Sequence, residues 1–310
     1  MGRVRPVAVL ASRVRYEEKR IFAALERRGV AYAHVDTRRL ADEPGGPAAG
    51  GAPEYAAALN REISHSRGLY ASLLLEARGV ATVNTSDTIT ACGDKLRTTL
   101  LLRRAGVPVP RTAVALAPEA GADAAERLGF PVVIKPLAGS WGRLVAAVHD
   151  RDQAETVLEH RAALPTPQQH IVYLQELVDK PNRDIRVIVA GDEVVGATYR
   201  YADGWRTNAA RGARSVPCPL TPDLTEPARA AARAVGGGVL GVDLVEGPAG
   251  PLVLEVNHTV EFHGFQEAHG DAVDVADAIV AHLLDAASRA GAEPAAAAGS
   301  APGARTGEAT

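Results

Sequence analysis

Two carboxylates and an amide near the C-terminal end of the sequence are spaced so that they could share a metal ion. A turn signal around Ala249 separates two apolar runs, so residues 240–257 predict a β-hairpin. With the turn centred there, Asp243 lies opposite Glu255, and Asn257 lies on the same face as Glu255. Opposed carboxylates repel each other unless a cation lies between them, and hard oxygen ligands suit Mg²⁺.

The other face of this hairpin is predicted to be apolar. Leu252, Leu254 and Val256 alternate with the metal-facing residues, so they are expected to point towards a core. The alternative to a metal site is a half-exposed hairpin whose polar face meets only water.

Two further segments could bind phosphate and a nucleobase. Lys135 ends a short apolar strand, and the small-residue loop that follows could present backbone N–H groups to phosphate oxygens. The loop lacks the Gly-Lys-Ser/Thr ending of a P-loop. Residues 171–178 form an apolar strand that turns polar at Gln175 and Glu176. Each segment could equally be an ordinary strand with a polar end.

Composition excludes several classes of function. The 310 residues carry a formal net charge of −3, so no global basic field favours nucleic acid. The sequence has no apolar run long enough to span a membrane, and no signal-peptide pattern. Its two cysteines, Cys92 and Cys218, lack metal-type spacing and fit a reduced, cytoplasmic compartment.

The pattern of strands and helices predicts an α/β protein with α+β lobes. Strands are expected near residues 7–11, 31–35, 80–83, 132–136, 144–148, 185–190 and 194–199. Helices are expected near residues 17–28, 69–78, 88–104, 153–158, 227–235 and 273–284. The predicted division is an N-terminal domain at 1–90, a central lobe at 91–168, a C-terminal lobe at 169–287 and a disordered tail at 288–310. Residues 44–53 predict a flexible loop.

The order of these motifs resembles the ATP-grasp superfamily of carboxylate–amine ligases. Five strings carry a closer resemblance to the RimK-related ligases of lysine and arginine biosynthesis, the LysX/ArgX group. They are NTSD from Asn84, CGDKLRTT from Cys92, GVPVPRT from Gly106, GSWGR from Gly139 and EVNHTVEF from Glu255. The resemblance covers residues 5–285. It implies an ATP-grasp fold with an N-terminal pre-ATP-grasp domain.

The resemblance also implies an activity and its partners. Such ligases phosphorylate a carboxylate with ATP, and the amino group of an amino acid then attacks the acyl phosphate. The acceptor is the C-terminal glutamate of a small acidic amino-group carrier protein. The resemblance further suggests a homo-oligomer, either a dimer or a tetramer. Open alternatives are a RimK-like glutamate-adding or peptide-tailoring ligase, and a non-catalytic ATP-binding regulatory protein.

By the same resemblance, individual residues receive roles. The ATP-binding set is Lys95, Lys135, Gly139, Ser140, Gly142, Arg143, Gln175, Glu176, Leu177, Val178 and Asp184. Two Mg²⁺ ions would lie between Asp243, Glu255 and Asn257. The amino acid or the acyl phosphate would be held by Arg186, Arg200, Asn208 and Arg211, because the arginine fork matches two oxygens. Asp184 is also expected to hold Arg186 in place through an ion pair.

The segment after Asn257 is expected to select the amino acid, through His258, Thr259, Gly264 and Phe265. Family members that take α-aminoadipate carry Asn-Thr or Asn-Ser where this chain has Gly264-Phe265, and members that take glutamate carry Gly-Phe. A bulky Phe265 would shorten the pocket by one methylene, which favours glutamate. A methylene is worth only ~1–3 kcal/mol of discrimination. His263 replaces the family's usual lysine.

Overall fold

A computed structural model describes residues 5–43, 54–139, 144–202, 214–291 and 294–295. The loop predicted at 44–53 lies outside these ranges. Within them, no helix combines the length and the apolar character that a bilayer span requires.

Four parallel strands form the N-terminal sheet, in the order β2-β1-β3-β4. The elements are β1 Val7–Leu10, α1 Tyr16–Arg27, β2 Tyr32–Val35, β3 Ala57–Asn60, α2 His65–Ala77 and β4 Ala81–Val83. β1 and β3 are buried along their whole length, as expected for parallel strands covered on both faces. The predicted strands and the first helix are confirmed. β3 was not predicted, because its alanines give little strand signal.

Two helix predictions in this region need correction. Helix α2 begins at His65 rather than at residue 69, so His65 belongs to the helix and not to a preceding loop. The single helix predicted at 88–104 is two helices, α3 Ser86–Cys92 and α4 Lys95–Arg104. The chain breaks between them because the Asp94 side chain accepts a hydrogen bond from the Arg97 amide (2.9 Å), which caps a new helix. Lys95 is therefore the first residue of α4.

The central sheet has the order β5-β8-β6-β7, and its paired strands are antiparallel. Its elements are β5 Thr112–Ala115, α5 Gly121–Leu128, β6 Val132–Lys135, β7 Ala146–Val148, α6 Arg151–Ala162, α7 Pro167–His170 and β8 Val172–Glu176. The structure places β8 here, whereas the sequence assigned residues from 169 onward to the C-terminal lobe. The apolar part of β8 is buried because it lies between β5 and β6.

The C-terminal sheet has the order β11-β10-β9-β12-β13 and is antiparallel throughout. Its elements are β9 Arg183–Ala190, β10 Glu193–Tyr201, β11 Arg214–Cys218, α8 Pro222–Ala234, β12 Val239–Gly247 and β13 Gly250–Asn257. The hairpin predicted at residues 240–257 is confirmed, and the strands predicted at 185–190 and 194–199 form a second hairpin. Helix α8 begins five residues before the predicted start, with Pro222 in its first turn, and it contains Pro227.

Two C-terminal helices complete the fold, α9 His263–His269 and α10 Val275–Arg289. Ile279 and Leu283 of α10 belong to one buried cluster with Val9 of the N-terminal sheet and Ile188 of the C-terminal sheet. The central sheet has a separate buried cluster that includes Leu158.

The boundary predicted for the disordered tail, residue 288, is too early in the sequence. Residues 288 and 289 complete the last turn of α10. The Ala295 amide donates to the Arg5 carbonyl (2.6 Å), and the Ala295 carbonyl accepts from the Ala31 amide (2.7 Å). Backbone pairing with the N-terminal sheet therefore orders residues 294–295. Residues 296–310 lie outside the described ranges.

Candidate active site

One face of the C-terminal sheet carries charged and polar side chains in two neighbouring rows. The first row crosses β10, β9, β12 and β13 through Thr198, Arg186, Asp243 and Glu255. The second row crosses β11, β10 and β9 through Ser215, Arg200 and Asp184. The predicted pairing of Asp243 with Glu255 is confirmed. It brings two carboxylates together on a surface that also holds two arginines.

The route to this pairing differs from the prediction. The hairpin turns tightly between Gly247 and Gly250, and a β-bulge shifts the register by one residue next to Asp243. Because the bulge breaks the two-residue alternation, the core-facing residues of β13 are Val253 and Val256. Leu252 and Leu254 are only partly buried, so their assignment to the core was wrong.

Asp243 is enclosed by side chains that donate hydrogen bonds. Arg186 forms a bidentate pair with it: Nε donates to Oδ1 through a short contact, and Nη2 donates to Oδ2 at 2.9 Å. The Nη2 atom of Arg200 lies 2.9 Å from Oδ1. The Asn257 Nδ2 atom donates to Oδ2 at 3.3 Å. Burial alone would raise the pKa of Asp243, but the two guanidinium groups hold it below its usual range.

The ion pairs across the strands correct one assignment. Asp184 binds Arg200, which donates from Nε at 2.7 Å and from Nη2 at 2.9 Å. The sequence predicted Arg186 as the partner of Asp184. The two residues are on the same strand and face, but each pairs with the residue directly opposite it. The ion pairs therefore form between residues that lie opposite each other on neighbouring strands, not between neighbours on the same strand.

Lysines from outside this sheet reach the hairpin. The Lys95 ammonium donates to the Gly139 carbonyl (2.9 Å) and lies 3.5 Å from Oε1 of Glu255. Lys135, at the end of β6, donates to Oε1 of Gln175 on β8 through a short contact. Burial lowers the pKa of Lys135 to about 8, with the positive charges of Lys95 and Lys180 adding to the effect. Of the two predicted phosphate-binding lysines, Lys95 thus contacts Glu255, whereas Lys135 contacts Gln175 and interacts with Glu255 only through its charge.

The described part of the site has more positive than negative side chains. The cations are Lys95, Lys135, Lys180, Arg186 and Arg200, and the anions are Glu176, Asp184, Asp243 and Glu255. Such an excess attracts a polyanion such as a nucleoside triphosphate. Burial also lowers the pKa of Lys180, which was not among the residues that the sequence assigned to the site.

The strand end predicted to contact adenine is tied into the central sheet. The Glu176 amide donates to the Arg111 carbonyl (2.9 Å), and its carboxylate accepts from the Arg111 amide (2.8 Å). The Leu177 amide donates to the Pro131 carbonyl (3.1 Å). Val178 follows directly. These contacts hold the strand end beside Pro131 and Val132 at the start of β6, while the Gln175 side chain contacts Lys135 at the other end of that strand.

Two histidines from distant parts of the chain meet beside the hairpin. His65 Nδ1 lies 3.3 Å from His258 Nε2, and His258 Nδ1 lies 3.0 Å from the Thr259 hydroxyl. Burial lowers the pKa of His258 to about 4, so its ring is neutral at pH 7. No local sequence pattern links these two histidines, which are 193 residues apart along the chain.

The residues predicted to select the substrate have different surroundings. Phe265 is 4% exposed and packs in the core against Gly196 and the His269 ring. This burial differs from the expected pocket wall, because the ring does not line an open surface. Gly264 faces β11: a Cβ atom there would lie 3.5 Å from the Ser215 hydroxyl.

Five predicted site residues lie outside the described part of the chain. They are Ser140, Gly142, Arg143, Asn208 and Arg211.

The described side chains fit a magnesium nucleotide in their donor chemistry. Asp243, Glu255 and Asn257 carry oxygen donors in adjacent positions, and lysines for phosphate lie beside them. In the described ranges, no three His, Cys, Asp or Glu side chains cluster in a way that could hold an ion by themselves. Phosphate oxygens and water would therefore have to complete the coordination of any ion.

Three sheets and a cation-rich site at the metal-type hairpin define an ATP-grasp ligase. The sequence matches the RimK-like ATP-grasp domain over residues 92–283 and the LysX preATP-grasp domain over residues 7–91. The chain belongs to the RimK-like ATP-grasp family. It is an ATP-dependent carboxylate–amine ligase.

Individual relatives agree with this assignment. The chain is 37% identical over 280 residues to the glutamate–LysW ligase ArgX of Sulfolobus acidocaldarius, covering 89% of this chain and 97% of the relative. It is 39% identical over 206 residues to the alpha-aminoadipate–LysW ligase LysX of Saccharolobus solfataricus, covering 66% and 75%. A crystal structure of a RimK domain ATP-grasp protein from Sphaerobacter thermophilus superposes with a TM-score of 0.75 at 31% identity, covering 90% and 99%.

Proposed function

We propose that this ligase joins the amino group of an amino acid, glutamate by preference, to the C-terminal glutamate side chain of a LysW-type carrier protein. The main support for this proposal is that Asp243 and Glu255 lie directly opposite each other beside Lys95. The chain that carries them matches a LysW ligase over nearly the whole length of that ligase. A carboxylate is a poor electrophile, so it must first be phosphorylated by ATP. The amine then attacks the acyl phosphate and releases phosphate.

The roles of the chain's own residues follow from their charges. Lys95 and Lys135 hold the phosphates, and the end of β8 from Gln175 to Val178 holds the adenine. Asp243, Glu255 and Asn257 would hold two Mg²⁺ ions, which supply charge neutralisation at the transferring phosphoryl group. Three oxygen-bearing side chains on adjacent positions support sharing between two ions. The predicted roles of the loop residues, among them Ser140 and Arg143, complete the proposal.

The arginines proposed to bind substrate would contact its anionic groups. Arg200 is held by Asp184 and Arg186 by Asp243, so both guanidinium groups are oriented before substrate arrives. With Asn208 and Arg211 they would bind the amino acid or the acyl phosphate. Preorganised donors of this kind stabilise the charge that develops in a transition state.

The proposed preference for glutamate over α-aminoadipate rests on the Gly264-Phe265 pair. Relatives named for either substrate are about equally similar to this chain, so overall identity does not decide. Since Phe265 is buried, the residue free to act on a pocket is Gly264, which faces Ser215 beside Arg200. The remaining selecting residues, His258 and Thr259, follow the metal hairpin directly.

The wider setting of the reaction is part of the proposal. ATP supply and two unpaired cysteines support a cytoplasmic location. The resemblance to the family further supports a homo-oligomer, either a dimer or a tetramer.

The test is mass spectrometry of a LysW-type carrier incubated with the chain, ATP and Mg²⁺, with L-glutamate or L-α-aminoadipate. The expected result is faster addition of glutamate, release of ADP and phosphate, and no addition to a carrier that lacks its C-terminal glutamate. Glu255→Ala should lose nearly all activity. Glu246→Ala is the matched control, because Glu246 lies on β12 and pairs with Arg183 instead.

Three results would redirect the proposal. Release of AMP and pyrophosphate would exclude the acyl phosphate. A free dipeptide or a tailored peptide without carrier modification would favour the peptide-ligase alternative. Faster addition of aminoadipate by the wild type would show that the Gly264-Phe265 pair does not select the substrate. If the pair does select it, Gly264→Asn should shift the preference towards aminoadipate.

A further inference from the structure

The carboxylate expected to bind a cation is already saturated by protein donors. Both oxygens of Asp243 accept hydrogen bonds from Arg186, one also meets Arg200, and the other accepts from the Asn257 amide. Asp243 is 8% exposed, so water cannot replace these donors freely. A cation that binds Asp243 must therefore displace at least one of them.

The two arginines are not equally held. Arg200 forms two hydrogen bonds with Asp184 and only one contact with Asp243, so it stays anchored if Asp243 is taken by a cation. Within the described part of the chain, both hydrogen bonds of the Arg186 guanidinium go to Asp243. Arg186 is thus the group whose binding partner a cation would remove.

The surroundings leave Arg186 close to the site after such an exchange. Arg186 lies opposite Thr198 on one side and Asp243 on the other. A Cβ atom at Gly241 would lie 2.8 Å from Arg186 Nη1, so the guanidinium already fills the space above this glycine. A guanidinium without its carboxylate is a two-pronged donor for phosphate or carboxylate oxygens.

We propose that Arg186 is the internal counter-ion of Asp243 in the cation-free enzyme, and that it gives up this carboxylate when a divalent cation binds. The released guanidinium then binds the anionic group of the second substrate or the acyl phosphate. The inference rests on the cation site of the proposed function, and it goes beyond that function because it couples two binding events. By reciprocity, the cation and the anion each strengthen the binding of the other.

The first test measures cation affinity, without turnover. Mg²⁺ is titrated by calorimetry into the chain saturated with ADP, for the wild type and Arg186→Met. If Arg186 competes with the cation, its removal should tighten Mg²⁺ binding by roughly tenfold, the range expected for loss of charge-assisted hydrogen bonds. Unchanged or weaker Mg²⁺ binding by a folded Arg186→Met chain would overturn the proposal.

Two variants guard this measurement. Arg183→Met removes a cation from the same strand whose partner is Glu246, and it should leave Mg²⁺ affinity unchanged. Arg186→Lys keeps the charge but cannot form the bidentate pair, so it should tighten Mg²⁺ binding by a smaller factor. It also serves as the test variant if Arg186→Met does not fold.

The second test releases Arg186 without a cation. Inorganic phosphate is titrated into Asp243→Asn in the absence of divalent ions. The neutral amide cannot hold the guanidinium as an ion pair, so phosphate should bind more tightly than to the wild type. The double variant Asp243→Asn with Arg186→Met should lose this gain. A gain that persists in the double variant reflects general electrostatics and contradicts the proposal.

Failure of the two proposals is distinguishable. If the wild type modifies the carrier but Arg186→Met does not bind Mg²⁺ more tightly, the exchange is rejected and the ligase assignment is kept. The Mg²⁺ effect without carrier modification would keep the exchange and reject the proposed substrate.

Discussion

At the scale of single residues, burial and neighbouring charge give chemically ordinary side chains their special properties. Lys135 is the clearest case. It ends a buried strand and contacts Gln175, and burial lowers its pKa from 10.5 to about 8. Glu255 acts in the opposite direction by stabilising the charged form. A phosphate in contact would do the same more strongly, so nucleotide binding and protonation of Lys135 must be linked.

This linkage predicts a pH dependence of nucleotide affinity. Lys135 is charged below its pKa, so its attraction for phosphate is fully present well below pH 8 and is lost as pH rises through about 8. ATP affinity should therefore fall above about pH 8, and binding near that pH should take up a proton. Calorimetry in buffers of different ionisation enthalpy measures both effects.

The control is the Lys135→Arg variant, because arginine stays charged throughout the pH range in which Lys135 titrates. Lys135→Arg should abolish the proton uptake. Affinity that is flat to pH 9 in the wild type would show that Lys135 does not contact the phosphates.

At the scale of elements, a few side chains fasten strands that belong to different sheets. Asn84, just after β4, donates to the carbonyls of Val239 (2.8 Å) and His258 (2.6 Å) and accepts from the Val239 amide (2.6 Å). It therefore ties the end of the N-terminal sheet to β12 and to the segment after β13. Gly238 makes this approach possible: a Cβ atom there would lie 2.0 Å from the Asn84 side-chain oxygen.

A neighbouring glycine provides a comparison for this contact. Gly237 and Gly238 both have positive φ, 77° and 110°, so alanine is strained at both positions, and more so at Gly238, whose φ lies further from the left-handed helical region. Only at Gly238 does the new methyl group meet Asn84. Gly238→Ala should thus lower the free energy of unfolding by about 1–3 kcal/mol more than Gly237→Ala, the cost of leaving buried polar groups unpaired.

Urea denaturation of both variants measures this difference. Equal losses of unfolding free energy would mean that the Asn84 contact contributes little to holding the two sheets together. A larger loss in Gly237→Ala would contradict the account outright.

At the scale of the whole molecule, the buried clusters do not correspond one to one with the three sheets. The cluster containing α10 spans the N-terminal and C-terminal sheets, whereas the central sheet is stabilised by its own cluster. Two of the three sheets thus share one core. The third can move or open with fewer apolar contacts to lose, and it carries Lys135 and the strand end expected to contact adenine.

This arrangement predicts which parts of the chain unfold together. Ile279 and Leu158 are both buried aliphatic residues, but they belong to the shared and the central cluster respectively. Ile279→Ala should cost about 2–5 kcal/mol and raise amide exchange in both β1 and β9. Leu158→Ala should raise amide exchange mainly in β6 and β8.

Hydrogen exchange followed by mass spectrometry reads each strand separately. If Ile279→Ala loosened only the N-terminal sheet, the shared core would not act as one cooperative unit. If Leu158→Ala loosened β9 as much as β6, the central core would not be independent.

Features set by short stretches of chain were determined by the sequence itself. The 3.6-residue spacing of α1 and the two short apolar runs of β9 and β10 are local features of the sequence, so these elements were predicted. The opposition of Asp243 and Glu255 was also predicted, because a hairpin joins its two strands by one short turn. The order of motifs sufficed to indicate the ATP-grasp class.

Contacts between segments distant in sequence were decided only by the tertiary structure. The order of strands in a sheet is not written in any one strand, so β8 was assigned to the wrong lobe and Asp184 to the wrong arginine. The approach of His65 to His258 depends on how two sheets are docked. The pairing of Arg186 with Asp243 has the same origin: β9 lies beside β12 only because the sheet has that order, and this neighbour makes a predicted metal ligand half of an ion pair.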